Sequence, residues 1–248
     1  MDLEKPLVID IGFFQVTWYA LIIIAAILIG LWVAKREGQK KGFSDDFLID
    51  VALYTIPLAI VGARLYYVFF QWQYFSGNPI EILATWQGGL AIHGGIAGGV
   101  IGAWILCKKR RKNFWILGDV LAPSLILGQA IGRLGNYLNQ EAFGYPTDLP
   151  WGIYMHGAYR HPTFFYEMFW NLIVFFFLLW YRRKNEISGR IFWAYLGLYS
   201  AGRFFIEAFR TDSLMLGPFR IAQVVSIILI LGAVIYFYQT KRLRRDGV

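Results

Sequence analysis

Residues 130–144 read AIGRLGNYLNQEAFG, and they place a guanidinium, two amides and a carboxylate directly after an apolar run. Polar groups in such a position cost free energy unless they bind one another or a ligand. The planar donor fork of Arg133 suits phosphate oxygens, which it can bind with two hydrogen bonds. Asn136, Asn139 and Glu141 supply further hydrogen-bonding groups around it. The stretch therefore predicts an anion-binding site at the end of an apolar segment.

Other apolar runs also carry polar side chains near one end. These residues are Tyr19, Arg64, His93, Glu167, Tyr199, Arg203, Glu207 and Arg210. The arginines outnumber the nearby carboxylates, and an excess of guanidinium in a partly dry cavity favours a bound anion. At headgroup depth we expect that anion to be a phospholipid phosphate. Arg203 and Glu207 stand four residues apart, however, so ion pairs that only hold helices together remain an alternative.

One segment, GGLAIHGGIAGGVIGA, combines a histidine with many glycines. Glycines recur at four-residue spacing, at Gly94, Gly98 and Gly102, which predicts a helix that packs closely against another helix. Such packing explains these glycines without any catalytic role. His93 is the natural candidate for a proton acceptor, because imidazole titrates near neutral pH. A hydrogen-bonded structural histidine remains the alternative.

The composition is that of a membrane protein. Of 248 residues, 57% are hydrophobic and only 16% are charged, and the mean hydropathy is +0.47. Several apolar runs reach the length of about 20 residues that crosses a bilayer as a helix. We expect one polytopic, all-α membrane domain over residues 1–248. The net charge of +8 comes from short basic clusters between apolar runs, so a nucleic-acid partner is not predicted.

Seven transmembrane helices are predicted. They run approximately over residues 16–33, 47–70, 88–106, 114–134, 164–181, 191–209 and 221–238. The basic clusters KREGQKK, KKRRK, RRKNEISGR and KRLRR all follow odd-numbered spans. The positive-inside rule therefore predicts an outer N-terminus and a cytoplasmic C-terminus. This orientation places the polar residues named above in the outer half of the bundle.

Other features have simpler interpretations. Ser44, with two aspartates after it, is expected to cap the second helix, and Asp50 and Asp119 are expected to act on helix dipoles or to pair with lysines. The single cysteine, Cys107, excludes an intrachain disulfide. The sequence contains no H-E-x-x-H motif, cysteine cluster, G-x-S-x-G elbow or glycine-rich phosphate loop, so neither a metal nor a cofactor is predicted.

The segment GRLGNYLNQEAFG resembles the signature of bacterial prolipoprotein diacylglyceryl transferases, usually Gly-Arg-x-Gly-Asn-Phe-x-Asn-x-Glu-x-x-Gly, with Tyr137 in place of the usual Phe. The resemblance extends in order over almost the whole chain. It includes WYA around Tyr19, GARLYYV around Arg64, GGLAIHGG around His93, RHPTFFYE before the fifth span and GRFFIEAFRTD in the sixth.

The resemblance implies an activity and its partners. This family moves the diacylglyceryl group of phosphatidylglycerol onto the lipobox cysteine thiol in the signal peptide of a prolipoprotein, with release of glycerol phosphate. It implies a seven-span enzyme of the bacterial inner membrane that uses no metal or organic cofactor and acts before signal peptidase II. The outer-leaflet site predicted above agrees with that setting.

Roles follow for the candidate residues under this resemblance. Arg133 and Arg203 are expected to stabilise the phosphate and the leaving group, and His93 to accept the thiol proton. Lipid-binding or orienting roles are expected for Tyr19, Arg64, Asn136, Asn139, Glu141, Tyr199 and Glu207. Alternatives remain open for three residues of the signature: Asn136 as a helix C-cap, and Gly135 and Gly144 as turn residues.

Other functions compete with this interpretation. A transporter or channel is conceivable because membrane Arg, Glu and His often mark ion paths. The polar residues gather in one half of the bundle, however, and inverted repeats are not apparent. An intramembrane protease would need a Ser-His or paired-Asp arrangement, which we do not find. A pure scaffold would not need so many arginines at lipid depth.

Overall fold

The computed structural model describes residues 7–10 and 15–245, and most of this part of the chain is helical. The α-helices are α1 (Trp18–Lys40), α2 (Asp45–Phe70), α3 (Trp72–Gly77), α4 (Ile92–Lys109), α5 (Phe114–Leu138), α6 (Thr163–Tyr181), α7 (Arg190–Glu207) and α8 (Ile221–Arg245). Short 3₁₀ turns occupy Pro79–Leu83, Thr85–Gln87 and Arg182–Lys184. In the described part of the chain, three small two-stranded antiparallel sheets pair β1 (Leu7–Asp10) with β2 (Gln15–Thr17), β3 (Ile153–Met155) with β4 (Ala158–Arg160), and β5 (Met215–Leu216) with β6 (Phe219–Arg220).

Each of the seven predicted spans coincides with one of the long helices. Among the residues that the structure describes, five helical segments are long and apolar enough to cross a membrane: Trp18–Lys40, Asp45–Phe70, Phe114–Leu138, Thr163–Lys184 and Ile221–Arg242. Helix α4 is less apolar because it is rich in glycine and ends in two lysines, and α7 because it carries three charged residues. The all-helical, multi-pass membrane architecture is confirmed, whereas the count of seven and the orientation stay predictions.

The chain divides into two compact units. Residues 35–117 form one, called here the inserted unit, and residues 1–34 with 118–248 form the other, called the main unit. Within the inserted unit, α2 and α4 pack closely through small residues. A methyl group built on Gly94 would lie 2.2 Å from the carbonyl oxygen of Gly62, and one on Gly98 would lie 2.1 Å from that of Leu58. The predicted role of the glycines in close helix packing is confirmed.

The polar residues expected to support the helices of the inserted unit do so. The hydroxyl of Ser44 accepts a hydrogen bond from the amide of Phe47 at 3.2 Å, which caps α2 as predicted. Asp50 pairs with Arg110 at 2.5 Å, so its partner is an arginine and not the expected lysine.

The main unit is built around an apolar core between its helices. The buried core residues are Val33, Ala122, Ile126, Val174, Phe175, Leu178, Ile191, Ala194 and Tyr195. Asp119 on α5 accepts hydrogen bonds from the amides of Gly189 at 2.6 Å and Phe192 at 2.9 Å. It therefore caps the start of α7, a partner on another helix that sequence spacing alone does not indicate.

Candidate functional site

A cluster of five charged residues lies where α5 and α7 end and α6 begins, within the main unit. These residues, called here the arginine–glutamate cluster, are Arg133, Glu167, Arg203, Glu207 and Arg210. The side chain of Glu167 is only 3% exposed and contacts all three guanidiniums of the cluster. One buried carboxylate on α6 thus links arginines contributed by α5, by α7 and by the segment that follows α7.

The distances within the cluster describe a bridging carboxylate. Glu167 Oε1 lies 2.5 Å from Arg203 Nη1 and 3.1 Å from Arg210 Nη1, and its Oε2 contacts Arg133 Nη2. Glu207 Oε2 lies 2.6 Å from Arg203 Nη2. The ion pair of Arg203 with Glu207, which the sequence left open as an alternative, is therefore present, and it forms part of a larger network.

The three arginines of the cluster differ in how much of the side chain is exposed. The side chains of Arg133 and Arg203 are each 19% exposed, whereas that of Arg210 is 9% exposed. Arg210 also donates to both oxygens of Asp212, at 2.9 and 2.6 Å. Burial lowers the pKa of Arg210, but these hydrogen bonds and the neighbouring carboxylates outweigh it and raise the pKa above its ordinary value. Arg210 therefore stays charged inside the cluster, while Arg133 and Arg203 offer the accessible guanidinium edges.

The amides of the signature segment extend the cluster. Arg133 Nη1 donates to Asn136 Oδ1 at 3.0 Å, and Asn136 Nδ2 donates to Glu141 Oε1 at 2.8 Å. Asn139 Nδ2 reaches the same carboxylate oxygen at 3.4 Å. All four residues of the motif are thus brought together. Asn136 lies inside α5 and uses its side chain for these contacts, so it is not the C-cap that we considered as an alternative.

Two of the signature glycines, Gly135 and Gly144, allow close approach and are not turn residues. A methyl group on Gly135 would lie 2.5 Å from Cδ2 of Tyr19, so the tyrosine ring packs directly on α5 beside the signature amides. A methyl group on Gly144 would lie 2.6 Å from the carbonyl oxygen of Phe209 and 2.7 Å from Cβ of His161. The left-handed residues of this loop are instead Gln140 and Ala142, with φ of 52° and 58°.

Backbone hydrogen bonds hold the loop after α5 against α6 and the end of α7. The amide of Gly144 donates to the carbonyl of His161 at 2.8 Å, and that of Tyr145 donates to the carbonyl of Phe209 at 2.9 Å. The buried hydroxyl of Thr163 donates to the carbonyl of Ala142 at 2.6 Å. These bonds keep the starts and ends of the helices together, which is what the geometry of the cluster requires.

Glu167 and Arg210 were expected among the polar residues near the helix ends, but the sequence analysis assigned neither of them a role in the site. The signal for Glu167 was a lone carboxylate at the start of the strongly apolar run that forms α6. The signal for Arg210 was its position three residues after Glu207. Tyr199, which was predicted, lies one turn before Arg203 on α7, and its ring stands 6.2 Å from that of Tyr195.

Arg64 belongs to the inserted unit, where backbone carbonyls surround its guanidinium. It is 6% exposed and donates to the carbonyls of Glu81, Ile82, Gly88 and Gly89 at 2.5, 2.9, 2.7 and 3.1 Å. Arg64 therefore does not add to an excess of free guanidinium, contrary to our expectation. Its contacts are those of a residue that holds the loop between α3 and α4, and its expected role in lipid binding stays a prediction.

The loop that Arg64 holds has a further internal bond. Tyr74 donates to the carboxylate of Glu81, and this hydrogen bond raises the pKa of Tyr74 above its ordinary value.

We expect Arg64→Lys to loosen the loop, because one ammonium cannot bond four carbonyls that a planar guanidinium reaches in different directions. Chymotrypsin cleavage within residues 72–89, followed by mass spectrometry in detergent, is expected to accelerate about tenfold.

Arg110→Lys is the matched control for this experiment, since Arg110 lies in the same unit but pairs with Asp50 at an exposed position. In Arg110→Lys, residues 72–89 should be cleaved at the wild-type rate. Equal cleavage of the wild type and Arg64→Lys would show that the carbonyl contacts do not hold the loop.

His93 lies in the first turn of α4, also in the inserted unit, and its side chain is exposed. Its ring centroid is 5.9 Å from that of Tyr66, and it makes no hydrogen bond within the described part of the chain. Within the described part of the chain, His93 is therefore not the buried, hydrogen-bonded histidine that we considered as an alternative. The role as proton acceptor stays a prediction.

Comparison with known proteins gives a consistent answer. A family model described as "LGT: Prolipoprotein diacylglyceryl transferase" matches residues 6–239. A protein of Bacillus cytotoxicus named phosphatidylglycerol–prolipoprotein diacylglyceryl transferase is 48% identical over 246 residues, covering 94% of this chain and 91% of its own length. Proteins of the same name from Bacillus cereus and Bacillus anthracis are 46% and 45% identical over 247 residues, each covering 95% of this chain and 92% of their own.

Proposed function

Since the chain belongs to the prolipoprotein diacylglyceryl transferase family, we propose that it transfers the diacylglyceryl group of phosphatidylglycerol to the lipobox cysteine thiol of a prolipoprotein. A thioether forms and glycerol phosphate leaves, as the first step of bacterial lipoprotein maturation. The observation that carries the proposal is the pair of accessible guanidiniums, Arg133 and Arg203, held together by the buried carboxylate of Glu167.

The arginine–glutamate cluster suits the charge that develops in this reaction. The thiolate sulfur forms a bond to the terminal glyceryl carbon while the bond from that carbon to the phosphate oxygen breaks. The oxygen keeps the electron pair, so negative charge grows on the phosphate. Arg133 and Arg203 can bind this charge more tightly in the transition state than in the ground state, which lowers the barrier.

Glu167 prepares the two arginines for this task. Guanidiniums close together repel one another, and in a partly dry site that repulsion is screened only weakly. The carboxylate between them offsets the repulsion and orients both groups before the lipid binds. No reorganisation is then needed as the reaction proceeds, which is the main source of electrostatic catalysis.

The outer leaflet is the proposed location of the reaction. Within the main unit, the cluster lies at the start of α6, and the basic segment Arg182–Lys184 follows the other end of the same helix. Basic residues favour the cytoplasmic side, which supports an outer position for the cluster. We extend this to seven spans with an outer N-terminus and a cytoplasmic C-terminus, in the bacterial inner membrane.

The incoming thiol must lose its proton, and His93 is the proposed acceptor. A cysteine thiol with a pKa of about 8.5 is mostly protonated at neutral pH, so a base speeds its attack. The exposed imidazole makes no hydrogen bond in the described residues, and one of its nitrogens can therefore accept the proton.

The test uses the purified protein in phosphatidylglycerol vesicles with a lipobox peptide, followed by mass spectrometry of the peptide. We expect a mass gain of one diacylglyceryl group that requires the peptide cysteine and is lost in a Cys→Ser peptide. Arg133→Gln should lower the initial rate about 100-fold, because it removes a charged donor from the leaving group.

Arg110→Gln is the matched control, since it removes an arginine from an exposed ion pair with Asp50. Its rate should stay within about twofold of wild type. Wild-type activity in folded Arg133→Gln would remove that residue from the mechanism. No mass gain with folded, lipid-bound wild-type protein would instead favour a lipid-binding or transport function.

A further inference from the structure

A second polar layer lies one helical turn from the arginine–glutamate cluster, further along α5, α6 and α7 toward the middle of these helices. Residues four apart on a helix share a face and are separated by about 6 Å. The corresponding pairs are Gln129 with Arg133, Asn171 with Glu167, and Tyr199 with Arg203. The proposed transfer reaction assigns no role to Gln129 or Asn171, although polar side chains at such depth need a reason.

Asn171 is the central residue of this layer. It is 1% exposed, and its Nδ2 atom has no hydrogen-bond partner within the described residues. Buried amide donors in proteins are nearly always paired, because an unpaired donor loses its water without compensation. The side chain is therefore an open donor on the same helix face as Glu167, the bridging carboxylate.

Gln129 has the same character. Its Nε2 atom lies 2.9 Å from the hydroxyl of Tyr195, and its Oε1 atom is buried without a partner in the described part of the chain. The amide can equally turn by half a rotation, so that Tyr195 donates to the oxygen and the nitrogen becomes the open group. The layer then offers two unpaired amide donors beside the apolar core of the main unit.

An ester carbonyl of a phospholipid matches these donors. It accepts hydrogen bonds but donates none, and it lies deeper in a leaflet than the phosphate, separated from it by the glycerol carbons. A lipid whose phosphate contacts Arg133 and Arg203 would direct its ester groups toward the layer of Asn171. Along the helices, the guanidiniums come first and the amides one turn deeper. Along the lipid, the phosphate comes first and the ester carbonyls lie deeper, so donors and acceptors occur in the same order.

We propose that Asn171 donates a hydrogen bond to an ester carbonyl of the diacylglyceryl group while the arginines hold its phosphate. The proposal rests on the transfer function proposed above and adds a second point of contact. Binding on both sides of the carbon–oxygen bond that breaks fixes the glyceryl carbon relative to the arginines. Such positioning raises the rate by limiting the substrate to reactive orientations.

The test compares diester phosphatidylglycerol with its diether analogue, which has the same phosphate but no ester carbonyls. The transfer assay measures kcat/KM for both lipids with the wild type and with Asn171→Leu, which has similar size and no donor. We expect the wild type to prefer the diester lipid about tenfold, the value of one buried hydrogen bond. Asn171→Leu should lose this preference, because its activity falls on the diester lipid and stays unchanged on the diether lipid.

A second pair of variants covers the case in which leucine prevents folding. Asn171→Ser keeps a donor and Asn171→Ala lacks one, although the two side chains differ little in volume. Serine should retain more of the diester preference than alanine. Elution as a single folded species in detergent is required of each variant.

Three results would overturn the proposal. An equal loss on both lipids in the donor-free variants would show that Asn171 serves packing or an ordered water. A diester preference that survives without the donor would assign it to another residue. Absence of transfer from either lipid by the wild type would overturn the proposed function itself, and with it this inference.

Discussion

Glu167→Gln is expected to lower the transfer rate about 1000-fold and the free energy of unfolding by about 3 kcal/mol. The carboxylate is 3% exposed and contacts three guanidiniums, so the substitution leaves three buried or half-buried cations with one fewer anion. Glutamine has nearly the same shape but is neutral, and its NH₂ group is a donor that faces other donors. The effect therefore comes from charge and hydrogen bonding and not from a cavity.

Two measurements separate the consequences of this change. Initial rates in phosphatidylglycerol vesicles report the arrangement of the arginines, and thermal unfolding in detergent reports stability. Glu167→Asp keeps the charge on a shorter side chain that cannot reach all three partners. We expect it to recover much of the stability but little of the activity.

Glu186→Gln is the matched control, because it makes the same chemical change at an exposed position in the loop between α6 and α7. Both its rate and its unfolding temperature should match those of the wild type. A folded Glu167→Gln protein with wild-type activity would show that the arginines do not need the bridging carboxylate, and would leave Glu167 as a residue of helix packing.

The helices and part of the site were predictable from local sequence. Apolar runs of membrane-spanning length and the basic clusters between them identified the long helices. The four-residue spacing of Arg203 and Glu207 indicated that the two could form an ion pair, because side chains at i and i+4 meet on one helix face, and the pair is present. The same rule places Asn136 beside Arg133, three residues earlier on α5, and the two are hydrogen-bonded at 3.0 Å. It could not indicate the second partner of Asn136, because Glu141 lies beyond the end of α5.

The bridging role of Glu167 could not be predicted in this way. Its partners come from α5, from α7 and from the segment after α7, and their approach depends on how these helices are rotated and shifted against one another. Hydrophobic periodicity gives the buried face of each helix but not the register between helices. The carbonyl partners of Arg64 could not be predicted from the sequence either, because they depend on a loop in which Gly88 and Gly89 adopt φ of 90° and 71°.

The glycines of the signature illustrate the same limit. A glycine in a sequence signals either a positive φ or the close approach of another group, and only the neighbour across the contact decides between them. At Gly135 the close neighbour is the ring of Tyr19, and at Gly144 it is the carbonyl of Phe209, so both glycines serve close approach. These glycines let the walls of the site approach more closely than any larger residue would permit, so their effect on function operates through geometry.

Gly98→Ala is expected to lower the free energy of unfolding by about 3 kcal/mol, at the upper end of the cost of overpacking. The added methyl group would lie 2.1 Å from the carbonyl oxygen of Leu58 and 2.9 Å from its carbon. Both are backbone atoms of α2, so no side-chain rotation relieves the clash and the helices must separate. Since α2 and α4 form the inserted unit around this contact, the unfolding temperature in detergent should fall by about 5–10 °C.

Gly99→Ala provides the matched control on the neighbouring residue of α4. Its methyl group would lie 3.8 Å from the nearest atom, Cβ of Ala59, which is an ordinary van der Waals contact. Alanine also has the higher helix propensity, so Gly99→Ala should be neutral or slightly stabilising. Equal unfolding temperatures for the two variants would contradict the close contact of α2 and α4, because only that contact distinguishes the two positions.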